Sequence, residues 1–190
     1  MSRPHIMMMT PSLYERLLAL PENLVGEVLD GELYTQPRPA GPHAAAESGL
    51  QSKIGGPFRY GDGGPGGWWI LVEPEVHFIR DTEVAVPDLA GWRRERMPAL
   101  PEDHRFEVVP DWVGEILSPS TAQKDRARKL PLYARYGVSH AWLVDPLART
   151  LEAFALREEG WLLIAALKED DPVEVPPFDA IRFSLADLWA

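Results

Sequence analysis

Asp88 and Glu115 are the side chains whose surroundings ask for chemistry. Each is a carboxylate set in an apolar run with strand character, Val84-Ala85-Val86-Pro87-Asp88-Leu89-Ala90-Gly91-Trp92 and Trp112-Val113-Gly114-Glu115-Ile116-Leu117. An ionised carboxylate in such a run costs several kcal/mol unless a cation or hydrogen bonds compensate it. Side chains alternate with period two, so Asp88 shares a face with Val86 and Ala90, and Glu115 with Val113 and Leu117. On neighbouring strands the two acids can converge, where they repel unless a cation lies between them. Hard oxygen donors of this kind suit Mg²⁺ or Mn²⁺. A plainer reading stands beside it, in which both are strand-end carboxylates making ordinary hydrogen bonds.

Three further residues qualify as candidates. Arg126, Lys129, Tyr133 and Tyr136 fall on one stripe of a helix. Over the sheet, a Lys129 ammonium can stabilise charge building on a phosphorus centre or orient a water. The alternative is an exposed Asp125–Lys129 pair contributing ~0.3–0.5 kcal/mol. His43, Glu47, Leu50 and Ile54 share a face of an earlier helix. Glu47 is a further metal-ligand candidate with His43 beside it, against a structural histidine near a helix start. Asp145, before Pro146, reads as a strand-end cap. No phosphate-cradling G-x-x-x-x-G-K-[ST], dinucleotide fingerprint or H-E-x-x-H occurs, and Ser118 and Ser120 lie in no nucleophile elbow.

The elements that carry these residues follow from periodicity and breakers. Thr10-Pro11 opens a helix with Leu13, Leu17 and Leu20 on one side. Residues 26–37 form a hairpin about Asp30-Gly31. A second helix runs from Pro42 to about Ile54, followed by a glycine-rich loop over 55–67. Strands follow at 68–79, 84–92 and 112–117. A third helix is capped by Ser120 and ends before Gly137, with Pro131 kinking or restarting it. Residues 141–144 are a buried strand, 151–156 and 161–167 a hairpin, and 184–190 a last helical turn. The three successive strands suggest an antiparallel meander, and the helix-linked fourth should return parallel to one of them. The seven Trp read mostly as core.

At 190 residues, 45% hydrophobic and 25% charged, the chain reads as one globular domain over 1–190, with the core about 41–146. No apolar run is long enough for a membrane helix, and Met1–Thr10 does not read as a signal peptide. Without cysteine, disulfides and thiolate metal sites are excluded and the cytoplasm is the default location. The net charge of −10 opposes casual nucleic-acid binding. Bound cations or a locally basic cleft can reverse that field, and basic residues cluster at 93–96 and 124–135.

Taken in order, Gly26-Glu27-Val28-Leu29-Asp30-Gly31-Glu32-Leu33, Pro42-His43, Val86-Pro87-Asp88, Val113 to Thr121, Asp125 with Lys129 and Tyr133, and Gly137-Val138 leading to Trp142–Pro146 resemble the bacterial Uma-type restriction endonuclease family. That family is a branch of the PD-(D/E)XK nuclease superfamily. The resemblance implies a mixed α/β fold with a restriction-endonuclease-like αβββαβ core, an N-terminal helix and hairpin, and a C-terminal hairpin. It implies Asp88 as the acid of the Pro-Asp motif and Glu115 as the acid of E-x-K. Leu117 occupies the usual lysine position, and the resemblance assigns that role to Lys129 on the next helix, with His43 lining the site.

The expectation is therefore a Mg²⁺- or Mn²⁺-dependent endonuclease. Asp88, Glu115 and Glu47 would hold metal, and Lys129 and His43 would assist. The substrate would be nucleic acid, DNA first, and the protein a homodimer or higher homo-oligomer. Two other classes remain: a binding or scaffold protein that keeps the fold without turnover, and a metal-independent carboxylate-pair hydrolase.

Overall fold

The computed structural model describes residues 10–37 and 41–189; the N-terminal methionine run and Ala190, on which two of the readings above touch, lie outside that range. In chain order the elements are α1 (Leu13–Leu18), β1 (Leu24–Leu29), β2 (Glu32–Pro37), α2 (Gly41–Ile54, prolonged by a π-turn at Gly55–Tyr60), β3 (Trp68–Val72), β4 (Glu75–Ile79), β5 (Glu83–Ala85), β6 (Leu89–Arg93), β7 (Arg105–Phe106) and β8 (Trp112–Ile116). Then come α3 (residues 122–135), β9 (His140–Asp145), β10 (Thr150–Arg157), β11 (Gly160–Lys168), β12 (Pro172–Val173), β13 (Phe183–Ser184) and a 3₁₀ turn at Leu185–Leu188. The fold is mixed α+β. One sheet has the order β2-β1-β5-β4-β7, a second β11-β10-β9-β8-β6-β3, and β12 and β13 form a third small pair.

The αβββαβ succession is α2-β3-β6-β8-α3-β9. The β3–β6 and β6–β8 pairs are antiparallel, and β9 lies parallel to β8. Two expected strands are divided, however. Residues 68–79 become β3 and β4, and 84–92 become β5 and β6, with the halves in different sheets. Both breaks carry a proline, Pro74 and Pro87, which has no N–H for a ladder. They lie side by side: Val72 pairs with Leu89, and the Glu73 N–H donates to the Asp88 carbonyl at 2.9 Å. Glu73 takes φ 45°, which turns the chain out of the six-stranded sheet that holds β3. Asp88 therefore sits at a joint between two sheets and not within a strand.

Helix starts and stops also moved. Ser12, not Thr10, caps α1: its Oγ accepts from the Glu15 N–H at 3.1 Å while Glu15 Oε2 accepts from the Ser12 N–H at 2.7 Å. The first part of the expected 55–67 loop is the π-turn. Thr121, not Ser120, precedes α3. In α3 the backbone is π-helical over Asp125–Lys129, where the Leu130 N–H reaches back to the Asp125 carbonyl. That wider turn accommodates Pro131, which lacks a donor, without ending the helix. The hairpin turn is as read: Asp30 and Gly31 both have positive φ, 51° and 76°. Asp145 caps as expected, its Oδ1 accepting from the Leu147 and Ala148 N–H groups.

Strand β8 is buried along its whole length. On one face Trp112 and Ile116 pack with Ala46, Leu50 and Ile54 of α2 and with Phe178 and Leu185. On the other, Val113 joins Ala90, Trp92, Leu132 and Tyr133. Glu115 has the parity of Val113 and so points toward α3. Between them Gly114 lies under the Trp112 ring, and a Cβ there would stand 2.8 Å from two indole carbons. Gly114→Ala is expected to destabilise the fold by ~1–3 kcal/mol through overpacking. Urea unfolding measures this, and a loss under about 0.5 kcal/mol would show that the ring moves aside freely.

Candidate active site

The side chains at the joint form a graded cluster. Glu115, Lys129 and Glu27 make its floor, at 1–2% exposure, and Asp88, His43 and Glu47 its mouth, at 8%. Each comes from a different local cause. The Pro87 break delivers Asp88, the pleat of β8 aims Glu115, the π-turn of α3 turns Lys129 inward, and α2 stacks His43 and Glu47 one turn apart.

At the floor, the Lys129 ammonium donates to Glu115, 2.8 and 2.9 Å from its two oxygens, and to the Val86 carbonyl at 3.1 Å. It also stands 2.9 Å from Glu27 Oε1. Three acceptor groups thus meet its three donors. The Tyr133 hydroxyl donates to Glu115 Oε1. Glu27 accepts in addition from the Val86 N–H at 2.9 Å and from Lys124, which also donates to Gln36. The Asp125–Lys129 pair is therefore no exposed ion pair: the two residues are 3% and 1% exposed.

At the mouth, Asp88 Oδ2 accepts from the Ile116 N–H at 2.6 Å. That bond fastens the Pro-Asp turn to the residue after Glu115. Asp88 Oδ1 faces His43 Nε2 at 3.3 Å. The buried atoms Glu47 Oε1 and His43 Nδ1 have no hydrogen-bond partner.

Burial against charge sets the protonation states. Burial works against an ionised Glu27, but Lys129 and Lys124 outweigh it and hold the carboxyl below its ordinary value. Burial also opposes a charged Lys129, and Glu115 and Glu27 more than reverse that, so the ammonium keeps its proton. Glu115 is pushed well above the carboxylate range by burial and by Asp125, Asp88 and Glu27, against the pull of Lys129. For His43, burial lowers the pKa but the Asp88 carboxylate raises it further, for a net increase. Burial, then repulsion from Asp88 and Glu73, lifts Glu47 to about 7.

Among the described residues, no group of three or more His, Asp or Glu side chains is placed to hold a metal ion together. Mg²⁺ does not require one, because it commonly keeps several waters and takes one or two carboxylates. An unpartnered, buried Glu47 oxygen repelled by Asp88 is the arrangement such a cation relieves. Glu115 has both oxygens occupied by Lys129 and one also by Tyr133, which leaves it little spare lone-pair capacity. The set fits a hard divalent ion at the mouth.

A pH measurement examines Glu47. In metal-free protein the folded state keeps its proton to about pH 7, whereas an unfolded glutamate releases it near 4.5. Its contribution is full below the unfolded value and is lost as pH rises through the folded one. Thermal unfolding should show a falling melting temperature across that window, flattened in Glu47→Gln. Mn²⁺ at about pH 8 should stabilise the wild type more than the variant. Identical curves for both proteins would remove Glu47 from the cluster.

Sequence reasoning singled out Asp88, Glu115, Lys129, His43 and Glu47, and the structure brings all five to the joint. It gave no role to Glu27, although the signal was the same one: a lone acid in the apolar run Leu24–Leu29. Lys124 and Gln36 carried no such signal, since their partner is distant in sequence.

A family model described as "Putative restriction endonuclease" (Uma2) matches residues 12–186. No curated protein matches the chain. The crystal structure of a "putative nuclease belonging to DUF820" from Anabaena variabilis ATCC 29413 is similar at 25% identity with a TM-score of 0.70, covering 94% of this chain and 97% of that one.

Proposed function

The chain belongs to the Uma2 "Putative restriction endonuclease" family, and from that premise we propose that it is a metal-dependent phosphodiesterase of the endonuclease type that hydrolyses DNA. The observation that carries this reading is the meeting of Asp88, with an unpartnered Glu47 oxygen beside it, and the Glu115–Lys129 pair at one joint. Asp88 and Glu47, with Glu115 behind them, would hold Mg²⁺ or Mn²⁺. A bound ion supplies charge that lowers the pKa of water and polarises a phosphoryl oxygen.

The protein's own groups do the rest. Lys129 holds a fixed positive charge at the floor, where low polarity strengthens its pull on charge developing at a phosphate. His43 keeps Asp88 Oδ1 oriented through Nε2 and carries a second, buried ring nitrogen, Nδ1, as a further position at which a proton can be held. Two copies of the site allow one assembly to cut both strands of a duplex together, so a homodimer or higher homo-oligomer in the cytoplasm belongs to the same proposal. No helix among the described residues is long and apolar enough to cross a membrane.

A plasmid assay tests the reading. With Mg²⁺ or Mn²⁺ the protein should nick or linearise DNA, and EDTA should stop it. Cleavage that survives EDTA would favour the carboxylate-pair hydrolase. A second reading, a non-catalytic binding protein, is favoured by Leu117 in the usual lysine position and by the net charge of −10. It would be preferred if Mn²⁺ titration gave no heat and no DNA were cut.

A further inference from the structure

We propose that Glu27 is a positioning residue, holding the Lys129 ammonium and the Pro87-Asp88 turn in one frame. The hairpin β1–β2 is thereby a wall of the site and not an appendage. Glu27 is 1% exposed, in a strand whose neighbours are apolar, so its charge exists only because partners surround it. Its Oε1 lies 2.9 Å from both Lys129 Nζ and the Val86 N–H, and its Oε2 accepts from Lys124.

Val86 is then clamped twice. Its N–H goes to Glu27 and its C=O accepts from Lys129 at 3.1 Å. Pro87 and Asp88 follow directly, and Pro87 offers no N–H to anchor itself. A short ring therefore runs from Glu27 through Val86 to Lys129 and back to Glu27. It fixes where the ammonium points and where the Asp88 turn begins. Glu115 and the Val86 carbonyl take two of the ammonium's donors, but only Glu27 takes the third and also holds the Val86 N–H, which closes the ring. A carboxylate is needed rather than an amide, since only an acceptor on both oxygens takes Lys129, Lys124 and Val86 together.

The kinetic arm of the test rests on the nuclease reading; a spectroscopic arm does not. Glu27→Gln is expected to lower kcat about 10–100-fold with KM within about twofold, as for loss of a residue that orients a reacting group. Glu27→Asp, one methylene shorter, should recover part of that loss. Glu32→Gln, on the exposed side of the same hairpin where Glu32 accepts from Tyr34, should behave as wild type. Independently, the Lys129 ammonium should give a slowly exchanging ¹⁵N–¹H resonance in the wild type, because it is buried and fully bonded. In Glu27→Gln or Glu27→Asp that signal should broaden or vanish while folding is retained. Wild-type kcat, or an unchanged ammonium resonance, in a folded Glu27→Gln protein overturns the proposal. Should the wild type cut no DNA, the resonance still decides on Glu27, and only the nuclease reading falls.

Discussion

Asp88→Asn is expected to lose Mg²⁺-dependent DNA cleavage by about 10³-fold or more, equivalent to ~4 kcal/mol of transition-state stabilisation. The substitution is chosen because an amide oxygen still accepts the Ile116 N–H, which Asp88 Oδ2 receives at 2.6 Å. The turn stays fastened while the charge is removed. Asp88→Ala and Glu115→Ala should abolish cleavage as well. Alanine at 88 also leaves the Ile116 N–H without its acceptor, at a stability cost of ~1–3 kcal/mol. Single-turnover cleavage of a labelled duplex, with folding verified by circular dichroism, is the measurement. Activity retained by a clean Asp88→Asn, Glu115→Ala double variant would rule the mechanism out.

The second large effect is on stability. Lys129→Met should cost ~3–5 kcal/mol, because it leaves Glu115 and Glu27 facing each other in a dry site without their shared cation. For a domain with a total of about 5–15 kcal/mol, that approaches unfolding. Denaturation in urea gives the number, and pH gives the cause. In the wild type, Glu27 lies below its ordinary pKa, so its contribution is present above that value and lost as pH falls through the depressed one. Without Lys129 its pKa must rise, and the variant should regain stability as the pH is lowered toward about 5. A Lys129→Met protein within about 1 kcal/mol of wild type across that range would show that the amine is not the counter-ion of this cluster.

Local signals carry far in this chain, and their limits are physical. Period-two alternation and the lone acids of Val84–Trp92 and Trp112–Leu117 identified the two carboxylates before any contact was known. Helical spacing put His43 over Glu47 and Lys129 over Tyr133, and Asp30-Gly31 placed the hairpin turn. Alternation is blind to which sheet a strand joins, however. Residues 68–79 and 84–92 alternate on both sides of their breaks, so only partner strands far along the chain reveal that each run is shared between two sheets. Pro74 and Pro87 marked the places, but a proline shows where a ladder is interrupted and not where the chain goes next.

The sequence by itself determined the αβββαβ order and the acids at its centre, because those depend on neighbours within a few residues. Tertiary structure alone decided that Lys129 is buried rather than solvated, that Glu27 shares it with Glu115, and that Asp88 stands at a joint with the unpartnered Glu47 oxygen beside it. Each of these is an encounter between ionisable groups far apart in sequence. Its sign and strength depend on how much water is excluded, and no residue carries that information alone.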